Sequence, residues 1–343
     1  MSEPVRAYTP SLIEPSDEHN LKLIENVHPE SWINPEPAAR YHMVVVGAGT
    51  AGLVSAAGAA GLGAKVALVE RHLMGGDCLN VGCVPSKGVI RAARSWRDAR
   101  EAAAHFGGPS VARDDGDFGF AMERMRRLRA GISHVDSAPR FQRLGVDVFL
   151  GEGRFISPDT VEVDGQRLRF RRAVVATGGR AAEPPIPGLA EAGYRTNETI
   201  FNLTELPKRL AVIGGGPIGC EMSQSFSRFG SRVTHLVQEG HVLAREDADA
   251  AEIVQKAMVQ DGVQFEFGVK VVEARRRGAE KVIVFERGGE RHEVVVDEIL
   301  LAVGRTPNVD GLGLEAAGVR YGKTGVEVDD HLRTSNPSIF ACG

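Results

Sequence analysis

Two stretches of this chain run through the same order of apolar and glycine-rich positions. Met43-Val44-Val45-Val46 is an unbroken apolar run, the pattern of a strand covered on both faces in a parallel sheet. Gly47 to Gly52 follow at once. An Ala- and Gly-rich run to about Leu62 predicts a helix, and Val66-Ala67-Leu68-Val69 predicts a second strand, ending in Glu70. The order recurs as strand 210–213, turn 214–219, helix 220–229 and strand 232–237. Between the copies, 91–141 reads as mainly helical, with a glycine- and aspartate-rich loop at 107–119. Its basic cluster, Arg124, Arg126, Arg127 and Arg129, reads as a solvated helix face. Residues 146–150 predict a strand, and 160–170 a hairpin about Asp164-Gly165, a pair suited to a type I′ turn. Residues 173–176 predict a buried strand, leading through Thr177-Gly178-Gly179 to a stiff Pro-rich linker at 184–188. After the second copy come a helix at 248–261, a β-rich meander to Val296 and a buried strand at 298–301. Residues 1–40 have little periodicity and predict an extended arm, with a helical turn or two near 21–24.

Each turn carries Gly-x-Gly-x-x-Gly: Gly47, Gly49 and Gly52 around Thr50-Ala51, then Gly214, Gly216 and Gly219 around Pro217-Ile218. The first glycine permits the tight turn. The second lets a pyrophosphate reach the backbone, and the third lets helix pack on strand. A helix N-terminus then faces the phosphates. Glu70 lies 18 residues after Gly52, and Val237 lies 18 after Gly219. That equal spacing points to an internal duplication of a dinucleotide fold. An acid at the end of the second strand holds both ribose hydroxyls of an unphosphorylated adenosine, so Glu70 suits FAD. Val237 would not repel a 2′-phosphate, which favours NADPH over NADH at the second turn. The neighbour there is Gln238, with Arg232 and Arg245 as the candidate phosphate partners. The fold class is therefore α/β, with two three-layer FAD/NAD(P)-binding Rossmann-like domains, the second inserted in the first.

Composition narrows the partners. The 343 residues carry a net charge of −4 and are 43% hydrophobic, with a pI near 6.2. Nothing in this balance calls for nucleic acid or an anionic membrane. No apolar run reaches about 18 residues, and residues 1–30 lack the basic-then-apolar order of a secretory signal. The reading is cytoplasmic. Four cysteines occur: Cys78, Cys83, Cys220 and Cys342, the last two read as small buried residues.

The first two sit five positions apart in Gly75-Gly76-Asp77-Cys78-Leu79-Asn80-Val81-Gly82-Cys83-Val84-Pro85-Ser86-Lys87. Thiol–disulfide exchange needs one sulfur to attack and another to resolve, close enough to form a small ring. A helix is expected to begin near Cys83, where its dipole would favour the thiolate. A structural disulfide and half of a zinc site are the other readings of the spacing. In a reducing compartment the catalytic one is preferred, and no second ligand pair follows at zinc spacing. No metal site is expected.

Cys-x4-Cys-x2-Ser-Lys, with the two glycine fingerprints, resembles the two-cysteine pyridine nucleotide–disulfide oxidoreductases, over roughly residues 41–343. These include dihydrolipoamide dehydrogenase, glutathione reductase and mercuric reductase, and the wording is most similar to mercuric-reductase-like bacterial members. Asp77 departs from the Thr that many members carry beside the flavin. The resemblance implies FAD and a nicotinamide nucleotide, NADPH or NADH. Hydride passes from NAD(P)H to FAD, then to a Cys78–Cys83 disulfide, and on to a small-molecule disulfide or Hg(II). It assigns Cys83 to the flavin, Cys78 to exchange, Lys87 to the flavin side and Glu221 as the partner carboxylate of Lys87. Gly76, Asp77, Ala176-Thr177-Gly178, Gly304 and Arg305 join the cofactor-binding set. It further implies a discontinuous FAD-binding domain (about 41–190 and 309–343), an NAD(P)-binding domain (about 191–308), an N-terminal arm (1–40) and a homodimer in the full-length protein. Full-length members continue with a flavin-contacting Asp, a helix and a dimerisation domain that supplies a His–Glu pair. None of the ten histidines lies in that His-Pro-Thr context. The expectation is an incomplete FAD-binding domain, no dimerisation domain and no full turnover by this chain alone. Dihydrolipoamide dehydrogenase is the alternative enzyme, and a flavin- and nucleotide-binding module without turnover is the alternative of another class.

Overall fold

The computed structural model describes residues 13–112 and 116–343. In chain order, α1 (Glu18–Val27), β1 (Tyr41–Val46), α2 (Thr50–Gly61), β2 (Val66–Glu70) and α3 (Gly76–Asn80) come first, followed by α4 (Cys83–Phe106) and α5 (Phe118–Ile132). Next are α6 (Ala138–Arg143), β3 (Val146–Leu150), β4 (Gly153–Ser157), β5 (Thr160–Val163), β6 (Gln166–Val175) and the short β7 (Gly179–Ala181). The second copy supplies α7 (Leu189–Ala192), β8 (Arg209–Ile213), α8 (Pro217–Phe229), β9 (Arg232–Val237) and α9 (Ala248–Gln260). β10 (Gln264–Phe267), β11 (Lys270–Arg277), β12 (Glu280–Arg287), β13 (Glu290–Val296) and β14 (Glu298–Leu301) follow. The chain closes through β15 (Arg305–Pro307), β16 (Tyr321–Gly322), β17 (Gly325–Val326) and β18 (Ile339–Ala341).

These elements divide into two compact units: residues 1–80, 127–180 and 306–343, and residues 81–126 and 181–305. In the first, the sheet order is β3-β2-β1-β6-β5-β4, with β18 beside β6. β6 serves two sheets' worth of pairing. Residues 166–169 run antiparallel to β5, and residues 170–175 run parallel to β1. Its last three residues, Ala173 to Val175, are apolar because both faces there are covered. The core joins Tyr41, Val44, Phe149, Phe155, Phe170, Leu168 and Ile339. Asp164 and Gly165 both take positive φ, as the hairpin turn requires. In the second unit β10-β9-β8-β14 is all parallel, and β11-β12-β13 is an antiparallel meander. Among the described residues no helix is long and apolar enough to cross a membrane.

Two expectations are corrected. The N-terminal arm is no extended tail with a turn or two: α1 runs for ten residues. The Asp17 side chain caps it by accepting from Asn20 N at 2.9 Å, and Asn20, Leu23 and Val27 make a buried stripe. Residues 1–12 of that arm, and 113–115 of the expected loop, lie outside the described residues. The basic cluster is not a uniformly solvated face either, because Arg126 and Arg129 are buried. Residues 81–126 lie in the second compact unit with residues 181–305. The reason is packing: Val89, Ala93, Phe118, Met122 and Met125 share one apolar cluster with Phe226 and Phe229 of α8.

Phe226 sits at the centre of that cluster, with its ring 5.7 Å from Phe118 and 6.5 Å from Phe229, the latter edge-on. Phe226→Ala is expected to cost about 3–5 kcal/mol, read as a lower urea midpoint by circular dichroism. A loss below about 1 kcal/mol would place the core of this unit elsewhere.

Candidate functional site

The two glycine turns match hydrogen bond by hydrogen bond. Gly47 N donates to Val69 O at 2.8 Å, and Gly214 N to Leu236 O at 2.9 Å. Ala176 N donates to Val46 O, and Ala302 N to Ile213 O, both at 2.8 Å. Residues 47, 70 and 176–178 therefore correspond to residues 214, 237 and 302–304. In each turn the third glycine is packed onto the first. A Cβ on Gly52 would lie 1.8 Å from Gly47 O, and one on Gly219 would lie 2.2 Å from Gly214 O. The middle glycines differ in kind. A Cβ on Gly216 would meet nothing within 4 Å, and one on Gly49 only the Gly76 Cα at 3.7 Å. Neither α2 nor α8 has a side-chain cap, and Pro217 opens α8 at a position that needs no N–H. Open backbone at an uncapped helix start fits a phosphate ligand. Thr50 and Ala51 form the first turn of α2, and Ile218 lies in that of α8.

Glu70 closes the first turn. Its Oε2 accepts from Ala48 N at 2.7 Å and its Oε1 from His72 N at 2.8 Å. Burial pushes its pKa up, against the pull of those two backbone donors. Val237 takes the same place in the second turn, buried and without a carboxylate. The sequence reading missed two supports of these turns. The chain returning from the second strand pins the second residue of each fingerprint: Gly75 N donates to Ala48 O and Leu243 N to Gly215 O, both at 2.8 Å. Gly75 has φ +89° and Leu243 φ +54°, so the return recurs even where no glycine announces it. Beneath the second turn lies buried His235, where the first has Leu68. Its Nε2 donates to Gly214 O at 2.9 Å, and its Nδ1 accepts from Ser223 Oγ at 3.1 Å. Burial lowers its pKa to about 4, so it is neutral at neutral pH. Its only sequence signal is a histidine at an inward-facing strand position.

The Ala176-Thr177-Gly178 exit is locked by Asn308, whose Nδ2 donates to Thr177 O at 3.0 Å and whose O accepts from Thr177 Oγ1 at 2.7 Å. In the second unit Gly304 O accepts from Ala182 N at 3.0 Å, and Arg305 is exposed.

The thiol segment splits into two helices. Asp77 and Cys78 lie in α3, a one-turn helix that the sequence reading left out, entered through Gly75 and Gly76. Cys83 is the first residue of α4, with Gly82 as its cap. Ser86 N donates to Gly82 O at 2.9 Å, closing the first helical turn. Cys78 is half-buried and Cys83 is exposed. Lys87 stands one turn beyond Cys83 on the same helix face. Its Nζ is 2.7 Å from Glu221 Oε1 on α8, with 62% and 37% of the two side chains exposed. Such a pair adds little to stability; what it does is fix an ammonium between α4 and the helix that opens at the second cradle. Cys220, next to Glu221, is buried, and its thiol is pushed up to about 12 by desolvation and then by Glu221. It is inert as a nucleophile. Cys342 is half-buried. Among the described residues no cluster of three or more metal-binding side chains forms.

The family model described as pyridine nucleotide-disulphide oxidoreductase matches residues 41–343. The chain belongs to this family. A mercuric reductase of Bacillus cereus is 31% identical over 338 residues, 98% of this chain and 53% of that protein. A dihydrolipoyl dehydrogenase of Geobacillus stearothermophilus is 35% identical over 317 residues, 88% of this chain and 64% of that protein. The HOCl-induced flavoprotein disulfide reductase RclA of Escherichia coli has a like structure: TM-score 0.76, 28% identity, covering 88% of this chain and 66% of that one. The chain thus spans between about half and two thirds of these relatives. The two matching glycine turns and both cysteines of the thiol segment fall within the matched residues.

Glu70 gives a pH test. Its pKa is raised above the ordinary 4.5, so the folded state binds its proton more tightly than the unfolded chain. Stability from that group is complete below pH 4.5 and falls as pH rises through the raised value. Thermal midpoints of flavin-free wild-type and Glu70→Gln protein, measured from below pH 4.5 to neutrality, should show the variant gaining on the wild type as pH rises. A constant gap would contradict the burial penalty.

Proposed function

We propose that this chain carries the redox machinery of an FAD-dependent NAD(P)H oxidoreductase that reduces a small disulfide or Hg(II) through Cys78 and Cys83. The observation that carries the reading is the placement of Cys83 at the first position of α4, one turn before a lysine ion-paired to α8. Cys83 there stands at the positive end of the helix dipole. The second thiol, Cys78, lies half-buried on a separate short helix and is the one assigned to exchange with substrate.

The cradles fit two different nucleotides. Gly47, Gly49, Gly52, Gly76 and Ala176 to Gly178 would hold the flavin nucleotide, with Glu70 on its ribose hydroxyls. Gly214, Gly216, Pro217 and Gly219 would hold the nicotinamide nucleotide. Val237 supports NADPH, because a carboxylate there would repel a 2′-phosphate. FAD, when bound, relays the electron pair of NAD(P)H to the cysteine pair. The protein's own part is to hold Lys87 in place through Glu221, to hold Cys83 at the start of α4 and to leave Cys78 for the substrate. Reduction breaks the sulfur–sulfur bond with two electrons and leaves a thiolate and a thiol, the proton coming from solvent.

The test is anaerobic titration of the FAD-loaded protein with NADPH. The wild type and Cys78→Ser should each develop a long-wavelength charge-transfer band; Cys83→Ser should not. The reverse pattern between the two variants would sink the assignment of roles. NADPH oxidation with Hg(II), glutathione disulfide and lipoamide then identifies the acceptor. If none stimulates oxidation while the band still forms, the chain is a flavin- and nucleotide-binding module.

A further inference from the structure

The segment from Glu70 to Asn80 joins the ribose-binding position to the first thiol, and the N-terminal arm grips it at three points. Val27 O accepts from Met74 N at 3.1 Å. His28 Nδ1 bonds His72 O. The third grip runs through Arg129 on α5, which is 0% exposed and among the largest fully buried side chains. Its Nη2 donates to Asn20 Oδ1 of α1 at 2.7 Å, and its Nη1 to Asn80 O at 2.5 Å. Asn20 and Asn80 are themselves 1% and 3% exposed. Asn20 is held in turn by Asp17 and by Pro15 O, which accepts from Asn20 Nδ2 at 2.7 Å. Asn80 Nδ2 reaches back to Gly76 O at 2.8 Å and Met74 O at 3.1 Å, tying the end of α3 to its start. The line Asn20–Arg129–Asn80 thus ends on the carbonyl two residues after Cys78. Asn20 lies outside the 41–343 family match, so the anchor of this line belongs to the arm.

We propose that Arg129, anchored by Asn20, is a positioning residue for Cys78: it fixes α3 and favours the reduced form of the cysteine pair. The proposal rests on the reading of Cys78 and Cys83 as a reversible redox pair. A guanidinium keeps its charge at any working pH, and here it is withdrawn from water and bonded to the carbonyl two residues after Cys78. Stabilising the reduced form makes a disulfide more oxidising. A hydrogen bond from a charged donor also fixes direction, so losing it frees the C-terminal end of α3 to move Cys78.

The experiment equilibrates the full FAD-loaded chain with glutathione buffers of stepped ratio, traps thiols by alkylation and reads the Cys78–Cys83 state by mass. Two glutathione thiols become one glutathione disulfide for each pair reduced, so the equilibrium constant follows directly. Arg129→Met is expected to shift that constant about tenfold toward the protein disulfide, about 30 mV more negative. Arg129→Lys, keeping the charge, should recover most of the shift. Asn20→Ala, keeping the guanidinium but not its anchor, should move the constant in the same direction by a smaller factor. If Arg129→Met does not fold, Asn20→Ala decides alone. Wild-type constants in the folded variants would overturn the proposal and leave the redox reading standing. A wild type that forms no Cys78–Cys83 disulfide at any ratio would overturn that reading and this proposal with it.

Discussion

Each half of the nucleotide machinery hangs on one close approach, the third glycine of a fingerprint resting on the carbonyl of the first. At Gly52 and at Gly219 the space for a Cβ is already filled by that oxygen. This contact sets how steeply the helix leaves its strand, and so where the helix N-terminus points. An uncapped N-terminus needs an acceptor for its free N–H groups. The middle glycine leaves room for one, and a phosphate is the acceptor whose size and charge fit.

What the two cradles do differently follows from what stands beside an otherwise common backbone. The hydrogen bonds around Gly47 and Gly214 put Glu70 and Val237 in the same place. One holds a half-buried carboxylate, its charge disfavoured by desolvation and steadied by two backbone donors. The other holds a buried apolar side chain. The chain that returns after Glu70 enters the thiol helix directly, whereas the return after Val237 enters an ordinary one. The two turns share one backbone, and the chains that leave them differ after the second strand.

Much of this was legible in the sequence because the signals are local. An unbroken apolar run, a glycine turn and a terminal acid all fall within thirty residues, and β3, β9 and β14 appear at the residues the pattern marks. The cysteine spacing and the helix start at Cys83 are local in the same sense. What escaped depends on distant partners. The core of α1 includes a buried Asn20, so an apolar period could not reveal it. Arg129 looks like its solvated neighbours until Asn20 and Asn80 arrive from elsewhere in the chain. α4 joins the second unit because its apolar face meets α8, and Lys87 meets Glu221 across 134 positions. α3, at five residues, is too short to show a period.

The central claim is that one backbone is used twice and that the residue ending the second strand selects the nucleotide. Calorimetric dissociation constants for NADPH and NADH, on the FAD-loaded wild type and on Val237→Glu, test it most directly. The wild type should bind NADPH more tightly. A carboxylate at 237 should gain a charged hydrogen bond to the ribose of NADH, worth about 1.5–3 kcal/mol, and repel the 2′-phosphate of NADPH. The ratio of the two constants should therefore move toward NADH by at least about tenfold. A ratio that stays put while both nucleotides still bind would contradict the claim.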